Sequence, residues 1–324
     1  MILPVIFFII GLIFLIKGGD WFVDGATGIA HRFHVPELLI GATVVSIGTT
    51  LPEVMVSATS AVSGHGEIAY GNAIGSIICN VCLIAALTIA IRPSATDKKA
   101  LKLPVIFFFV AAIFYSATAY ISGHFSHITG LVLLIMFGAY IGVSVYQIKN
   151  HPGDVAVSEE VEVSKEENSS LLKDIFLLII GAALIAWGAN LLVNNGTIIA
   201  RELGVPESVI ALTFVALGTS LPELVTAITS LTKGHGALSL GNVIGANLFN
   251  LVLVTGVSAT LSPFDIPVSK TIAGLNSSLV VDIPLMLFVM AFLTFPAIKR
   301  EKLSRTQGIV LLVIYAVFCI YQFV

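Results

Sequence analysis

Apolar residues run in long stretches along the chain, with short polar breaks between them. Most stretches are about 20 residues long, the length at which an α-helix crosses the hydrocarbon core of a bilayer. The pattern predicts ten membrane-spanning helices, at residues 3–29, 37–62, 68–91, 103–120, 127–147, 172–200, 207–231, 238–260, 272–295 and 306–324. We therefore predict an all-α polytopic membrane protein.

The second half of the chain repeats the first half. When residues 36–85 are aligned with 206–255 without a gap, 21 of the 50 positions are identical. A duplication of this size predicts two structural repeats of five helices each. Because five is odd, the second repeat enters the membrane in the opposite orientation. We predict inverted repeats at 1–148 and 172–324, joined by a linker at 149–171.

The basic residues predict the orientation, because Lys and Arg concentrate in cytoplasmic loops. With the N-terminus outside, thirteen of the 16 basic residues fall in inner loops, and only Arg201 and Lys270 fall in outer loops. This predicts a multi-pass protein of the cell membrane (plasma or inner membrane) with both termini extracytoplasmic. The first apolar run lacks a small-residue cleavage site, so we expect no cleavable signal peptide.

Composition agrees with a membrane protein, since 57% of the residues are hydrophobic and only 11% are charged. Soluble domains carry about 25% charged residues. The one sizeable polar stretch, at 149–170, is acidic, and a regulatory calcium site is one interpretation of it. It lacks the D-x-D-x-D-G type of loop, so we favour a solvated cytoplasmic linker.

One motif occurs in both repeats, as GTTLPE at 48–53 and GTSLPE at 218–223. A carboxylate within a bilayer is costly and marks a path for ions, protons or substrate. The proline before each glutamate has no amide hydrogen and clashes with the carbonyl four residues back, so we expect it to break its helix. Carbonyls near such a break, including those of Ser46 and Thr49, then need a partner, and a cation suits them.

The helix that follows each motif carries a second pattern, GNAIGSIICN at 71–80 and GNVIGANLFN at 241–250. The glycine pairs at 71/75 and 241/245 let helices approach closely. Ser76 and Asn80 are four residues apart and share a helix face. A single intramembrane asparagine is usually an interhelical hydrogen-bonding group, but Asn80 and Asn250 are mirrored, so we interpret both as ion ligands.

The ligand types and their charge point to hard cations. Hydroxyl, amide and carboxylate oxygens suit Na⁺ or Ca²⁺ and not a transition metal, which prefers thiolate or imidazole ligands. Two facing carboxylates near the midplane repel each other, and each loses its hydration. One divalent cation, or two or three monovalent cations, can cancel their charge. This gives a physical basis for mutually exclusive occupancy, which an exchanger needs.

The paired G-T-[ST]-L-P-E and G-N-x-x-G-[SA]-x-x-x-N segments resemble the alpha repeats of the cation/calcium exchanger superfamily, in particular minimal prokaryotic sodium/calcium exchangers. The resemblance covers essentially the whole chain and implies calcium between the two glutamates, with sodium sites around it. The implied ion ligands are the side chains of Thr49, Thr50, Glu53, Ser76, Asn80, Thr219, Ser220, Glu223 and Asn250, with backbone carbonyls of Ser46 and Ala216.

Two positions depart from the family pattern. Asn250 stands where some relatives, including the potassium-dependent branch, carry Asp, and Ala246 stands where Ser is common. The site therefore has two carboxylates and one fewer hydroxyl. This argues against potassium dependence.

The expected function is a sodium/calcium antiporter that works by alternating access and is electrogenic. A proton/calcium antiporter is the alternative. Small residues at equivalent places in the first and sixth segments (Gly11, Gly18, Gly19; Gly181, Gly188, Ala189) favour a pair of helices that slides past the rest, although static packing explains them equally well.

We expect no enzymatic activity, no cofactor beyond the transported Na⁺ and Ca²⁺, and no nucleic-acid partner; protein partners are not specified by the sequence. A channel would need a segment that is polar along its length, and the sequence has none. An intramembrane hydrolase would need an H-E-x-x-H or G-x-S-x-G motif, which is also absent. His65 and His235 are interpreted as turn residues, Asp20 and Asp24 as interfacial, and Asp282 as a weaker candidate for an ion relay.

Overall fold

The computed structural model describes residues 2–93, 95–150, 170–204, 218–268 and 271–323, and these are almost entirely helical, which confirms the all-α prediction. The predicted linker and the first half of the predicted seventh helix, including Ala216, lie largely outside the described residues. The helices are α1 Ile2–Arg32, α2 Glu37–Val62, α3 Gly66–Ile91, α4 Lys98–Ile121, α5 His127–Asn150, α6 Leu171–Glu202, α7 Leu221–Thr232, α8 Gly236–Leu261, α9 Ser278–Arg300 and α10 Arg305–Phe323.

Apart from α7, which has 12 residues, each of these helices is long and apolar enough to cross a membrane. Their bounds agree with the predicted segments to within a few residues at most ends. The largest difference is at α9, which was predicted from 272 and begins at Ser278. Residues 271–276 instead form a hairpin of β1 Thr271–Ile272 and β2 Leu275–Asn276, because Gly274 adopts the φ of +80° that a tight turn needs.

A second pair of short strands joins loops from the two halves at one end of the bundle. His124–Phe125, between α4 and α5, pairs antiparallel with Phe264–Asp265, between α8 and α9. The Phe125 and Phe264 rings stack with centroids 5.3 Å apart. At this end, the chain therefore closes with backbone pairing between repeats.

Pro52 does not break its helix, so that expectation was wrong. The α-helical part of α2 continues through Pro52 from Ser46 to Val62. Membrane helices tolerate proline where neighbouring helices and side chains compensate for the lost hydrogen bond. Pro222 differs, because residues 218–220 form turns and α7 begins at Leu221. Pro222 thus lies in the first turn of a helix, where its missing amide hydrogen is not needed.

Helices α1 and α6 pack backbone to backbone along their glycines. A Cβ atom placed on Gly181 would lie 2.5 Å from the Phe22 amide nitrogen and 2.8 Å from the Gly18 carbonyl oxygen. A Cβ on Gly188 would lie 2.8 Å from the Gly11 carbonyl oxygen. The equivalent glycines of the two repeats therefore form one close helix pair, as small residues do at membrane helix interfaces.

Helices α2 and α8 also approach closely, through the second glycine pair. The Cα hydrogens of Gly241 face the Leu38 backbone, and a Cβ on Gly245 would lie 2.6 Å from the Ala42 Cα. A Cβ placed on either of the equivalent glycines of α3, Gly71 and Gly75, would meet nothing within 4 Å among the described residues. The α2–α8 contact sets the spacing of the helices that carry the candidate ligands.

Candidate ion-binding site

Two buried glutamates lie at the centre of the candidate site. Glu53 of α2 and Glu223 of α7 are each 1% exposed, and they lie close enough for their charges to repel each other. None of their four carboxylate oxygens has a hydrogen-bond partner among the described residues. Buried carboxylates without protein partners carry a large desolvation cost. This geometry suits groups whose partner is a cation.

Neutral polar groups on α2, α3 and α8 share this lack of a partner among the described residues. The Thr50 hydroxyl and the side-chain amides of Asn80 and Asn250 are buried, and they too have no hydrogen-bond partner within the part of the chain that the structure describes. Most buried polar side-chain atoms in proteins are paired. A group of buried, unpaired oxygens on α2, α3, α7 and α8 is therefore chemically suited to hold cations.

A change of helix type marks both asparagines. Helix α3 passes from α to π geometry over Asn80–Ala85, and α8 does so over Asn250–Val254. The two π segments begin at equivalent positions of the repeat. Short π segments interrupt the regular hydrogen-bond ladder and often occur at functional sites. A third π segment, Gly41–Val45, ends directly before Ser46 on α2.

The remaining predicted ligands differ in what surrounds them. Ser220 is 3% exposed at the start of α7, and its side chain makes no capping hydrogen bond to the helix. Thr219 beside it is half-buried. Ser76 is 5% exposed, and its hydroxyl is 3.5 Å from Asn72 Oδ1. The Ser46 hydroxyl donates to the Gly41 carbonyl oxygen at 2.7 Å, whereas the predicted ligand is the Ser46 backbone carbonyl.

Sequence reasoning missed two asparagines that the structure places next to these ligands. Asn72 Oδ1 accepts a hydrogen bond from the Thr219 hydroxyl at 3.3 Å, and Asn242 Oδ1 accepts one from the Thr49 hydroxyl at 3.1 Å. A signal was available, since both asparagines are the second letter of the repeated G-N pattern. Only the folded structure reveals that each one contacts the other repeat.

The less favoured candidates lie elsewhere. His65 is exposed, whereas His235 Nδ1 lies 2.7 Å from Glu37 Oε1. Asp20 and Asp24 on α1 form ion pairs with Lys233. Asp282 ends a π segment that begins at Ser278. Its carboxylate lies near the hydroxyls of Tyr70 and Tyr115.

A polytopic helical membrane protein in which each of two repeats contributes a buried glutamate belongs to the class of membrane ion transporters. Comparison with known proteins supports this class. Residues 3–146 and 173–324 match the family described as sodium/calcium exchanger protein. With both repeats matched, the chain belongs to the sodium/calcium exchanger family.

Individual relatives match this chain along nearly their whole length. An uncharacterized membrane protein of Methanocaldococcus jannaschii is 37% identical over 98% of this chain and 97% of its own. The sodium/calcium exchanger MaX1 of Methanosarcina acetivorans is 30% identical, with 97% of each chain covered. A structure of the sodium-calcium exchanger NCX_Mj, soaked with Na⁺ and Sr²⁺, superposes with a TM-score of 0.81 at 34% identity, covering 98% of this chain and 97% of that one. The fold is thus that of a ten-helix membrane protein with inverted repeats.

Proposed function

We propose that this protein exchanges Ca²⁺ for Na⁺ across the membrane by alternating access, and that the exchange is electrogenic. The observation that carries the proposal is the pair of buried glutamates without protein partners, one from each repeat. A Ca²⁺ ion bound between Glu53 and Glu223 would neutralise both carboxylates. Exchange for more than two Na⁺ ions would then move net positive charge in each cycle.

In this proposal, the ligands are those that the sequence predicts. Backbone carbonyls of Ser46 and Ala216 complete the set, with Na⁺ sites surrounding a central Ca²⁺ site. The ligand side chains are Thr49, Thr50, Glu53, Ser76, Asn80, Thr219, Ser220, Glu223 and Asn250. The family membership supports the assignment, and so does the burial of all these side chains except the half-buried Thr219, because oxygen-rich sites of this kind suit both ions.

The proposed arrangement in the membrane follows the basic residues. Both termini are extracytoplasmic, residues 1–148 and 172–324 form the inverted repeats, and 149–171 is a cytoplasmic linker. Arg32 and Lys233 then lie at the cytoplasmic end of the bundle, in agreement with the positive-inside rule. Cysteine accessibility in right-side-out and inverted vesicles tests this orientation.

Ion coupling is tested with purified protein in liposomes. Ca²⁺ uptake is measured under an imposed Na⁺, K⁺ or H⁺ gradient, with and without a K⁺ ionophore that sets the membrane potential. We expect Ca²⁺ uptake under the Na⁺ gradient and not under the K⁺ or H⁺ gradient, at a rate that depends on the membrane potential. Uptake driven only by H⁺ would replace the proposal with the proton/calcium alternative, and a rate indifferent to potential would exclude electrogenic exchange.

A further inference from the structure

Two asparagines, the half-buried Asn72 and the fully buried Asn242, connect the repeats in a crossed arrangement. Asn72, on α3 of the first repeat, accepts from Thr219 of the second repeat at 3.3 Å. Asn242, on α8 of the second repeat, accepts from Thr49 of the first repeat at 3.1 Å. Asn72 and Asn242 are 170 positions apart, and so are Thr49 and Thr219, so the repeat relates one contact to the other. Because the two contacts are equivalent, we expect Asn72 and Asn242 to have the same role.

The chemistry of a hydroxyl defines that task. A threonine hydroxyl has one hydrogen to donate and two lone pairs, and only the lone pairs can bind a cation. An acceptor placed on the far side of the hydroxyl takes the hydrogen and turns the lone pairs toward the ion. We infer that Asn72 and Asn242 are positioning residues that orient the Thr219 and Thr49 hydroxyls for cation binding, each acting on the opposite repeat. The inference rests on the proposed function, which makes both threonines ligands.

The contacts of Asn72 set the orientation of its amide. Its Nδ2 lies 2.9 Å from the Ser57 hydroxyl oxygen and 3.4 Å from the Glu53 backbone carbonyl oxygen. A carbonyl oxygen only accepts hydrogen bonds, so the amide nitrogen must face it. The amide oxygen therefore faces Thr219. The same side chain thus joins the backbone of a candidate calcium ligand to the hydroxyl of a ligand in the other repeat.

The surroundings of Thr49 give Asn242 a second effect. Thr49 is 2% exposed and lies beside the Glu223 carboxylate, whereas Asn242 is fully buried. Without Asn242, the carboxylate is a strong alternative acceptor for the Thr49 hydrogen. A hydroxyl that donated to Glu223 would occupy a carboxylate oxygen and turn its own lone pairs away. By accepting this hydrogen, Asn242 keeps both oxygens available to a cation.

The two asparagines are anchored differently, which provides a matched control. Asn72 is held by Ser57, but the position equivalent to Ser57 in the second repeat is Ala227. Asn242 Oδ1 instead lies 3.3 Å from the Ser46 hydroxyl, and its Nδ2 has no hydrogen-bond partner among the described residues. Ser57→Ala therefore removes a bond to the same Asn72 amide without touching the bond to Thr219.

Crossed double-mutant cycles test the inference. Ca²⁺ and Na⁺ binding to purified protein in detergent is measured from the ion dependence of the thermal midpoint, and the half-saturating Ca²⁺ concentration is also measured for uptake. We expect Asn242→Ala to weaken Ca²⁺ binding about five- to tenfold, since one oriented hydrogen bond is worth about 1 kcal/mol and tenfold is about 1.4 kcal/mol. Thr49→Val should weaken it at least as much.

The combinations separate positioning from simple packing. Asn242→Ala with Thr49→Val should be no worse than Thr49→Val alone, whereas Asn242→Ala with Thr219→Val should multiply the two losses. Asn72→Ala with Thr219→Val should be no worse than Thr219→Val alone, whereas Asn72→Ala with Thr49→Val should multiply the two losses. Ser57→Ala should lower the thermal midpoint and leave the half-saturating Ca²⁺ concentration within about twofold. If Asn242→Ala does not fold, Asn242→Ser is the second truncation, because its side chain is too short to reach Thr49.

Losses that multiply in the contacting pairs, or unchanged affinity in both asparagine variants, would overturn the inference. Failure of the proposed function has a different signature. A wild-type protein that binds Ca²⁺ but shows no Na⁺-driven uptake would refute sodium coupling, and the binding cycles would still decide the role of the asparagines. A wild-type protein that binds neither ion would refute both.

Discussion

Lys233 Nζ lies 2.7 Å from Asp24 Oδ1, and this ion pair ties α1 to the loop between α7 and α8. Lys233 also lies 3.5 Å from Asp20 Oδ1 and 3.1 Å from the Asp20 carbonyl oxygen. The pairs are partly exposed, so each contributes about 1 kcal/mol or less. They nevertheless mark a place where the α1–α6 pair contacts the helices that carry the candidate ligands. If that pair slides during transport, the contact must break and re-form.

Cross-linking at this contact tests whether α1 and α6 move relative to the rest. Of the three native cysteines, Cys79 and Cys82 are buried and Cys319 is partly exposed, so Cys319 is first replaced by Ser. In that background, a bifunctional thiol reagent should stop Ca²⁺ flux in an Asp24→Cys/Lys233→Cys variant, and reduction of a cleavable linker should restore it. The matched control is Phe14→Cys/Trp187→Cys, since these two rings join α1 to α6 with centroids 5.3 Å apart. A link within the pair should leave the flux intact if the two helices move together.

Two outcomes would contradict a joint movement of α1 and α6. Flux that survives the Asp24–Lys233 link would remove the sliding pair from the mechanism. Flux lost in the Phe14–Trp187 link alone would mean that α1 and α6 move separately. The single-cysteine variants treated with the same reagent measure the effect of modification without a link.

The two glutamates carry the second prediction. Glu53→Gln or Glu223→Gln keeps the side-chain volume and removes one charge, so Ca²⁺ transport should fall to the background of empty liposomes. The ion-free protein should become more stable, because a buried carboxylate without a protein partner is replaced by a neutral group. Uptake assays and thermal midpoints with and without Ca²⁺ measure the two effects.

Glu67→Gln is the matched control, since Glu67 is an exposed acid in the first turn of α3. It should leave both the transport rate and the Ca²⁺-dependent rise in thermal midpoint unchanged. Near-normal exchange in either Glu53→Gln or Glu223→Gln would place the site elsewhere in the protein.

Much of the fold could be predicted from the sequence because membrane helices are long and the two halves are nearly equivalent. Duplication at a constant offset predicts the inverted repeats without reference to any contact. The hairpin before α9 escaped prediction because its residues Ile272, Ala273 and Leu275 are apolar and fit the start of a membrane helix equally well. The intact helix at Pro52 escaped it because neighbouring helices, and not the local sequence, decide whether a proline breaks a membrane helix.

The charged members of the candidate site were predictable from the sequence, whereas the contacts of Asn72 and Asn242 were not. Carboxylates in apolar runs stand out because of their cost, so Glu53 and Glu223 are visible in the sequence. Asn72 and Asn242 look like ordinary helix residues, since their role depends on a contact with the opposite repeat. The π segments at Asn80 and Asn250 are likewise a property of packing, for which the residue types give no sign.

The close packing of α1 against α6 gives a third prediction. A Cβ on Gly181 would lie 2.5 Å from the Phe22 amide nitrogen, and neither backbone can yield without separating the helices. Gly181→Ala should therefore destabilise the protein by about 1–3 kcal/mol, as overpacking typically does. Unfolding measured in detergent or bicelles gives the change in free energy.

Gly142→Ala on α5 is the control, because a Cβ there meets nothing within 4 Å among the described residues. Removing a helical glycine at an open position should stabilise the protein by about 0.5–1 kcal/mol. The two substitutions are chemically identical and should have opposite signs. Equal effects would show that the distance between α1 and α6 adjusts freely.

The last prediction uses the asymmetry between Ser76 and Ala246. The first repeat has a hydroxyl one turn before Asn80, whereas the second has a methyl group one turn before Asn250, and both second-repeat residues are buried. The cation position proposed beside Asn250 should therefore have a lower field strength than the same position in a relative with Asp and Ser there. Ala246→Ser combined with Asn250→Asp adds a hydroxyl and a carboxylate there. It should change the Na⁺ dependence of Ca²⁺ flux more than the half-saturating Ca²⁺ concentration, which depends mainly on Glu53 and Glu223.

The introduced carboxyl group should also make the flux fall more steeply as the pH is lowered. Protons compete with Na⁺ for a carboxylate among neighbouring negative charges, whereas the native amide has no such reaction. Ca²⁺ flux measured against Na⁺ concentration at several pH values separates the two effects, and Ala246→Ser alone isolates the contribution of the hydroxyl. Identical Na⁺ and pH profiles in the wild type and the double variant would mean that positions 246 and 250 pack the helix and do not bind the ion.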